Sequence, residues 1–386
     1  MNFDLPRDIA DLQDRIARFI AEEVDPLTVG IDADTPAPDI RREIARRANA
    51  AGIYRLALAS SEGGQNAGPR TLTGAREALA LSGNPLASAA LSSGPGIMRL
   101  ADNERQRREL YEPVLSGQRT AAFAFTEART NSQPTQAIPT TLADGGDGYL
   151  VTGGKAFVTG GASADWLVVV ANVPADAEGG GGTALLVVDR DAPGVSQGEL
   201  GQSIDGSTHS PFHFDDTPVP ASRLLGNIGD GLPRAMANID QMRLGVAADA
   251  VGWSRWVNRQ TLARIEAPHR SGQPLAEQQQ VQAIFADMVT DAHSARAALY
   301  RAAEARECDE PTAGTQVAAA KWLSTEVLHR TVDRAIQLHG AQALLHGHPL
   351  ERLYRWSRSL RIAEGPTELL RLTVTRHIRQ NGPNAL

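Results

Sequence analysis

Cysteine occurs once, at Cys308, so no intrachain disulfide can form and no cysteine-based zinc site exists. A reducing compartment fits that scarcity. Positive charge is not in excess either: the formal net charge is −7, with acids and bases interspersed. Nucleic-acid recognition needs a basic face and attraction to an anionic membrane needs a basic patch, so neither partner is expected. No stretch approaches the roughly 20 uninterrupted apolar residues of a membrane span. The opening residues, MNFDLPRDIADL, carry acids early and lack a basic segment followed by an apolar one. Neither a secretory signal nor an organellar presequence is expected, which leaves a soluble, cytoplasmic protein as the expectation.

What remains is an ordinary globular composition, 42% apolar and 22% charged, over 386 residues. That length exceeds what one hydrophobic core supports, so two or three domains are expected. Residues 1–117 read as helical: Ile9, Leu12, Ile16 and Ile20 recur at three- and four-residue steps and build one apolar stripe. From 118 to 228 the texture changes to short β-branched and aromatic runs split by turn residues: RTAAFAFT, GYLVT, KAFVT, DWLVVVANV, TALLVVD and SPFHFDD. Such spacing predicts an antiparallel sheet domain. GYLVT-GG-KAFVT predicts a hairpin turning at Gly153 and Gly154. The EGGGG at 178–182 reads as a loop between two strands, because no helix follows it as a phosphate cradle requires. From 229 to 386 the chain reads as helical again. Val281, Ile284, Phe285, Met288 and Val289 predict a wide core-facing stripe, and Gly340 closes a long helical run as a C-terminal cap.

Within that last region, LRIAEGPTELLR (360–371) leaves a lone acid, Glu364, between an apolar run and a Gly-Pro break. An acid there suits a helix start, where the dipole favours negative charge. It equally suits a catalytic base held on a bend, and both readings can hold at once. His339, His346 and His348 straddle glycines without ligand spacing, so a metal is not expected. The basic run ERLYRWSRSLR reads as a solvated or inter-subunit face.

Helices, a β domain, then helices with an acid near the end resemble the acyl-CoA dehydrogenase family. The blocks that carry the resemblance are FAFTEARTNSQ (123–133), VTGGKAFVTGGASADWLVVVA (151–171), DTPVPASRLLG (216–226), GQPLAEQQQVQAIFADM (272–288) and the long run from Gln337 to Ile378. The resemblance implies an α+β fold with an N-terminal helical domain, a middle antiparallel β domain and a C-terminal four-helix bundle. It implies FAD as cofactor and α,β-dehydrogenation of an acyl thioester. Glu364 falls on the family's catalytic glutamate and would take the Cα proton, with Gly365 giving the substrate close backbone approach. A carbon acid is weak, so the base needs burial to raise its pKa, and the developing enolate needs hydrogen bonds. In the family one of those bonds comes from the base's own backbone N–H.

By the same resemblance Phe123, Phe125 and Thr126 would line the flavin, and Phe157 and Thr159 would cover its other face. Residue chemistry alone leaves the three phenylalanines equally suited to a β core. Arg270, Gln279, Gln337, Gly340, Ala341, Thr367 and Glu368 match positions that touch the cofactor, several from a neighbouring subunit, which implies a homodimer or homotetramer, or a hetero-oligomer. Ser132 matches a serine near both flavin phosphate and thioester, and Asp240 and Arg243 match positions on the substrate's pantetheine arm. Met242 occupies the alternative base position of some members and cannot serve. Substrate would be an acyl-CoA or an acyl-carrier thioester, and the electron acceptor an electron-transfer flavoprotein or similar.

Departures are concentrated around the cofactor and the acyl slot. TEARTNSQ (126–133) replaces the family's T-E-P-G-A-G-S-D, bringing in Ala128, Arg129, Asn131 and Gln133. Arg270 is the nearest substitute for the arginine of R-x-x-F-G. Ala363 stands where an aromatic is expected, which widens the acyl slot toward a branched or bulky group, and Pro366 replaces a hydroxyl residue. These departures keep two alternatives open: a non-catalytic or weakly flavin-binding subunit of a heteromeric dehydrogenase, and a flavin oxidase or monooxygenase of the same fold acting on a carrier-bound substrate.

Overall fold

The computed structural model describes residues 5–31, 37–92, 94, 96–128, 140–175 and 181–382. The chain folds as two compact units, Met1–Ser93 with Asp240–Leu386, and Gly94–Ile239.

The first unit is helical. Helix α1 (Arg7–Phe19) buries Ile9, Leu12 and Ile16, and Ile20 follows in a π turn, so the stripe read from sequence is a core face. It packs with α2 (Pro38–Ala50) and α3 (Pro69–Leu81) around one cluster. The long helices follow: α4 (Gly231–Glu266), α5 (Gln279–Glu307), α6 (Ala313–His339), α7 (Pro349–Leu360) and α8 (Thr367–Asn381). Gly340 ends α6 at φ +81°, a conformation that favours glycine, as the sequence predicts. The stripe on α5 is narrower than expected, because Val289 is exposed while Val281 and Met288 are buried. Burial continues through Ala292, Ala295, Leu299 and Ala302, at alternating steps of four and three. That is the seam of two helices packed side by side, here α5 against α6.

The second unit is an eight-stranded sheet: β1 (Ala121–Ala124), β2 (Thr141–Asp144), β3 (Gly148–Thr159), β4 (Trp166–Val173), β5 (Gly182–Asp189), β6 (Val195–Gln197), β7 (Gly201–Gln202) and β8 (Thr208–Pro220). Pairing is mostly antiparallel, but β1 joins β4 in parallel. Strand β4 is buried from Trp166 through Ala171 because both faces are covered. Leu167 and Val169 enter one cluster, Trp166 and Val168 the other.

The hairpin expected at Gly153 and Gly154 does not form. Both residues lie inside the single strand β3, where the register against β8 shifts between Val151 and Gly153. Gly153 uses its φ of +136° for this bulge instead of a turn. The reversal comes earlier, between β2 and β3, where Gly145 N–H donates to Gly148 O at 3.0 Å. Strands β4 and β5 are antiparallel neighbours with Val173 opposite Gly182, so the glycine run joins two paired strands. Residues 178–180 of that run lie outside the described residues.

Candidate active site

Between α7 and α8 the chain makes a short link whose two ends meet on one side chain. Glu326 of α6 accepts from Arg361 Nε at 2.8 Å and from the Thr367 hydroxyl at 2.8 Å. Thr367 N–H also donates to Arg361 O at 3.1 Å. Inside this closed link, Glu364 has φ +55° and Gly365 φ +106°. A left-handed glutamate carries roughly 1–2 kcal/mol of strain, so something must hold it.

Two buried cations do. Arg243 Nε donates to Glu364 O at 2.8 Å, and Lys321 Nζ donates to Gly365 O at 2.9 Å. Asp240 steadies the arginine, accepting from its Nη1 at 2.9 Å. Glycine is needed at 365, since a Cβ there would sit 3.1 Å from Arg243 Nη2 on top of the positive φ. Both carbonyls of the strained pair are thus taken, while the N–H and the carboxylate of Glu364 have no partner among the described residues.

Burial raises the pKa of the Glu364 carboxyl, against the opposing charges of Arg243 and Lys321. Asp240 is likewise raised by burial, with Arg243 working against it. Lys321, fully buried, is pushed down to about 8 by desolvation and then by the Arg243 cation. The Glu364 carboxyl and the Lys321 ammonium are therefore both drawn toward neutral pH, a pattern common at proton-transfer sites. The sequence pointed to Glu364, Gly365, Asp240 and Arg243, and the structure brings them together. It did not point to Lys321 or Glu326. The available signal was a lysine inside the small-residue run AAAKWL, on the buried side of α6.

The sheet unit assembles a second set. Phe157 sits where the register of β3 slips between Lys155 and Val158; its φ is +52° and its side chain is 75% exposed. A bulge of this kind re-aims a side chain, and an exposed ring on strained backbone has surface to offer a planar partner. Thr126 O accepts from Ala156 N–H at 2.8 Å, which sets the exposed Thr126 beside the bulge. Thr159, exposed on the same face of β3, bonds His209 Nδ1 at 2.9 Å. Ser207 donates to Asp205 at 2.6 Å, so it can only accept from His209 Nε2–H at 3.0 Å. His209 Nδ1 then carries the lone pair and the Thr159 hydroxyl donates to it. Thr159 is left with acceptor capacity toward a ligand.

Phe123 and Phe125 stack on each other, centroids 5.6 Å apart, half-buried at the edge of the sheet's second cluster. Beneath them Lys155 is buried, bonded to Phe125 O at 3.1 Å and Glu127 at 2.9 Å. Ser132 lies outside the described residues, with Arg129, Asn131 and Gln133.

The remaining candidates lie in the helical unit. Gln337, Gly340 and Ala341 are exposed together at the end of α6. Arg270 is exposed in the link before α5, Gln279 opens α5, and Glu368 is exposed in the first turn of α8. Thr367 differs from these: it is buried, with its hydroxyl already given to Glu326. His339 and His348 meet edge to face at 6.0 Å, and His346 faces Glu351 at 3.3 Å.

A half-buried acid on strained backbone in the helical unit and an uncovered aromatic in the sheet unit are the features to set against known proteins. The acyl-CoA dehydrogenase C-terminal domain matches residues 229–379 and the acyl-CoA dehydrogenase middle domain matches 122–217. Cyclohexane-1-carbonyl-CoA dehydrogenase of Geobacter metallireducens is 32% identical over 70% of this chain and 72% of its own. 3-(Aryl)acrylate reductase of Clostridium sporogenes is 28% identical over 94% of this chain and 97% of its own. Among solved structures, an acyl-CoA dehydrogenase from Geobacillus kaustophilus superposes with a TM-score of 0.79 at 26% identity, covering 98% of this chain and 100% of that one. The chain belongs to the acyl-CoA dehydrogenase family.

Proposed function

We propose that this protein is an FAD-dependent acyl-thioester dehydrogenase in which Glu364 moves the Cα proton. The observation that carries the reading is the bonding pattern at the link: both carbonyls clamped, and the N–H and the carboxylate of Glu364 unpartnered among the described residues. FAD, when bound, supplies the acceptor for the Cβ hydride. Phe157, Thr126 and Thr159 are the residues proposed to hold its ring system, and their exposed ring and hydroxyls suit a planar group with a hydrogen-bonding edge. Everything else is work for this chain's own groups.

Ionised Glu364 accepts the proton from Cα. Its raised pKa narrows the gap to a carbon acid, and its free N–H can donate to the thioester oxygen as negative charge develops there. The Arg243 and Lys321 cations keep the carboxylate ionised in spite of burial. Run backwards, the same group returns a proton to Cα, and a raised pKa favours that step too. The reductase among the relatives supports this second direction for the present chain.

Ala363 is exposed and small beside the base, which supports a bulky acyl group. Two relatives named for ring-bearing acyl groups point the same way. Reoxidation is assigned to an electron-transfer flavoprotein or similar acceptor. Gln337, Gly340 and Ala341, followed by Leu344 and Leu345 at 65% and 64% exposure, form the surface proposed to meet a second copy. The test is direct: purified protein is expected to carry equimolar FAD and to bleach anaerobically with a ring-bearing acyl-CoA. A colourless preparation that fails to take up added FAD overturns the reading.

A further inference from the structure

Lys321 is a fully buried lysine whose ammonium donates to a single neutral carbonyl, Gly365 O at 2.9 Å. It lies on the buried face of α6, with Val317, Ala318 and Ala320 before it and Ser324 and Thr325 after it all fully buried. Taking an ammonium out of water costs several kcal/mol after relaxation, far more than one hydrogen bond to a carbonyl returns, about 0.5–3 kcal/mol. A neutral donor would make the same bond without that penalty. Anchoring Gly365 therefore does not by itself explain a lysine.

The surroundings do. Arg243 faces Lys321 from α4, Glu364 from the link, and Glu326 lies on its own helix. Asp240 is bonded to Arg243, and Arg361 to Glu326. Two of the three acids are thereby engaged through their carboxylates, and only the Glu364 carboxylate is left to answer the ammonium. Two like charges, Arg243 and Lys321, converge on one strained dipeptide and bond its successive carbonyls. Their mutual repulsion opposes that arrangement, so what both accomplish together is specific to residues 364 and 365.

We propose that Lys321 is a positioning residue for proton transfer: with Arg243 it clamps the carbonyls of Glu364 and Gly365, holds the base in the left-handed conformation, and supplies the positive charge that keeps the carboxylate ionised. The role rests on Glu364 as base, but it can be read without turnover. The depressed lysine pKa agrees with a site in which desolvation and the arginine both work against the ammonium.

The experiment uses FAD-loaded enzyme carrying 13C-carboxyl glutamate, with Glu364→Gln to assign the Glu364 resonance. Its midpoint is followed by NMR in wild type, Lys321→Met, Lys321→Gln and Lys321→Arg. Removing the charge is expected to raise the midpoint by about 1–3 units in the Met and Gln variants, the span for a single opposite charge at close range. Arg is expected to restore it to near the wild-type value. The acidic limb of kcat/KM with acyl-CoA should move by the same amount. Lys321→Gln keeps a donor and fills the site if Lys321→Met does not fold. A folded Met or Gln variant with an unmoved Glu364 midpoint overturns the proposal, whatever its thermal stability. If the midpoint moves but no acyl-CoA bleaches the wild type, the clamp stands and the dehydrogenase reading falls.

Discussion

The helical unit contains a fully buried glutamate and a half-buried one that meet desolvation in opposite ways. Glu77 of α3 is fully buried, and both its oxygens are occupied. Oε1 accepts from Arg255 at 2.5 Å and Arg296 at 2.6 Å, and Oε2 from Tyr300 at 2.6 Å and Gln13 at 3.0 Å. Burial pushes this carboxyl up, yet the Arg296 hydrogen bond and charge, Tyr300 and Arg255 outweigh it and hold it below the ordinary range. Glu364 also has two cations beside it, but their hydrogen bonds go to backbone carbonyls. Its carboxyl rises. Charge proximity alone does not set a buried acid's pKa; where the donors point does. The Glu77 carboxylate is held ionised with both oxygens bonded, while the Glu364 carboxyl is raised and has no hydrogen-bond partner among the described residues.

The most severe way to break that contrast is to remove each carboxylate in turn. Glu364→Gln should lower turnover by about 10²–10⁴-fold, the usual share of a general base, while the thermal unfolding midpoint holds or rises. Glu77→Gln should do the reverse, costing about 3–5 kcal/mol of stability because two guanidiniums lose their counter-charge. Denaturant titration and anaerobic bleaching of both variants check this; a Glu77 variant of wild-type stability would erase the distinction.

Next in size is the link itself. Gly365→Ala must accept a positive φ and a close approach to Arg243, for roughly 1–3 kcal/mol, and should lose activity faster than stability. Loss of stability alone, with activity per folded molecule unchanged, would show that the geometry of the link does not serve the base.

The two acids should also oppose each other in pH dependence. A lowered folded-state pKa makes the Glu77 contribution fully present above the ordinary glutamate range and lost as pH falls through its folded value. A raised one makes Glu364 most favourable to folding in acid, with that advantage lost as pH rises from the ordinary range through its folded value. Glu364→Gln should therefore be more stable than wild type at neutral pH, with the gain vanishing in acid. Urea midpoints across pH measure it.

The smallest expected effect sharpens the contrast in the other unit. Phe157 shares the left-handed backbone of Glu364 but offers a ring instead of a charge. Phe157→Gly should relieve strain worth up to about 1 kcal/mol and weaken FAD binding about 2–12-fold, the value of one stacking contact. Fluorescence titration of the apoprotein reads the second quantity. Unchanged affinity would remove Phe157 from the cofactor site.

Much of this was readable in the chain. The stripe on α1 survives folding intact because one buried helix face needs one periodicity. Glu364 stood out because a Gly-Pro break after an acid is a visible interruption. The misreadings share a cause. Gly153 reads as a turn from sequence because positive φ serves turns and bulges alike, and only the partner strand β8 decides between them. Val289 falls on the predicted inner face but is exposed, because the breadth of a helix's buried face depends on how many neighbours it has. Lys321 gives no local signal, because a lysine among helix formers is ordinarily a solvated residue.

By itself, then, the sequence determined the order of helices and strands, the family and which acid is proposed as the base, since these depend on local periodicity and on motifs contiguous in the chain. Tertiary structure alone decided what kind of acid Glu364 is. Arg243 and Lys321 lie 121 and 44 residues away from the carbonyls they bind. A hydrogen bond's direction across such separations is a property of packed helices, and no local pattern encodes it.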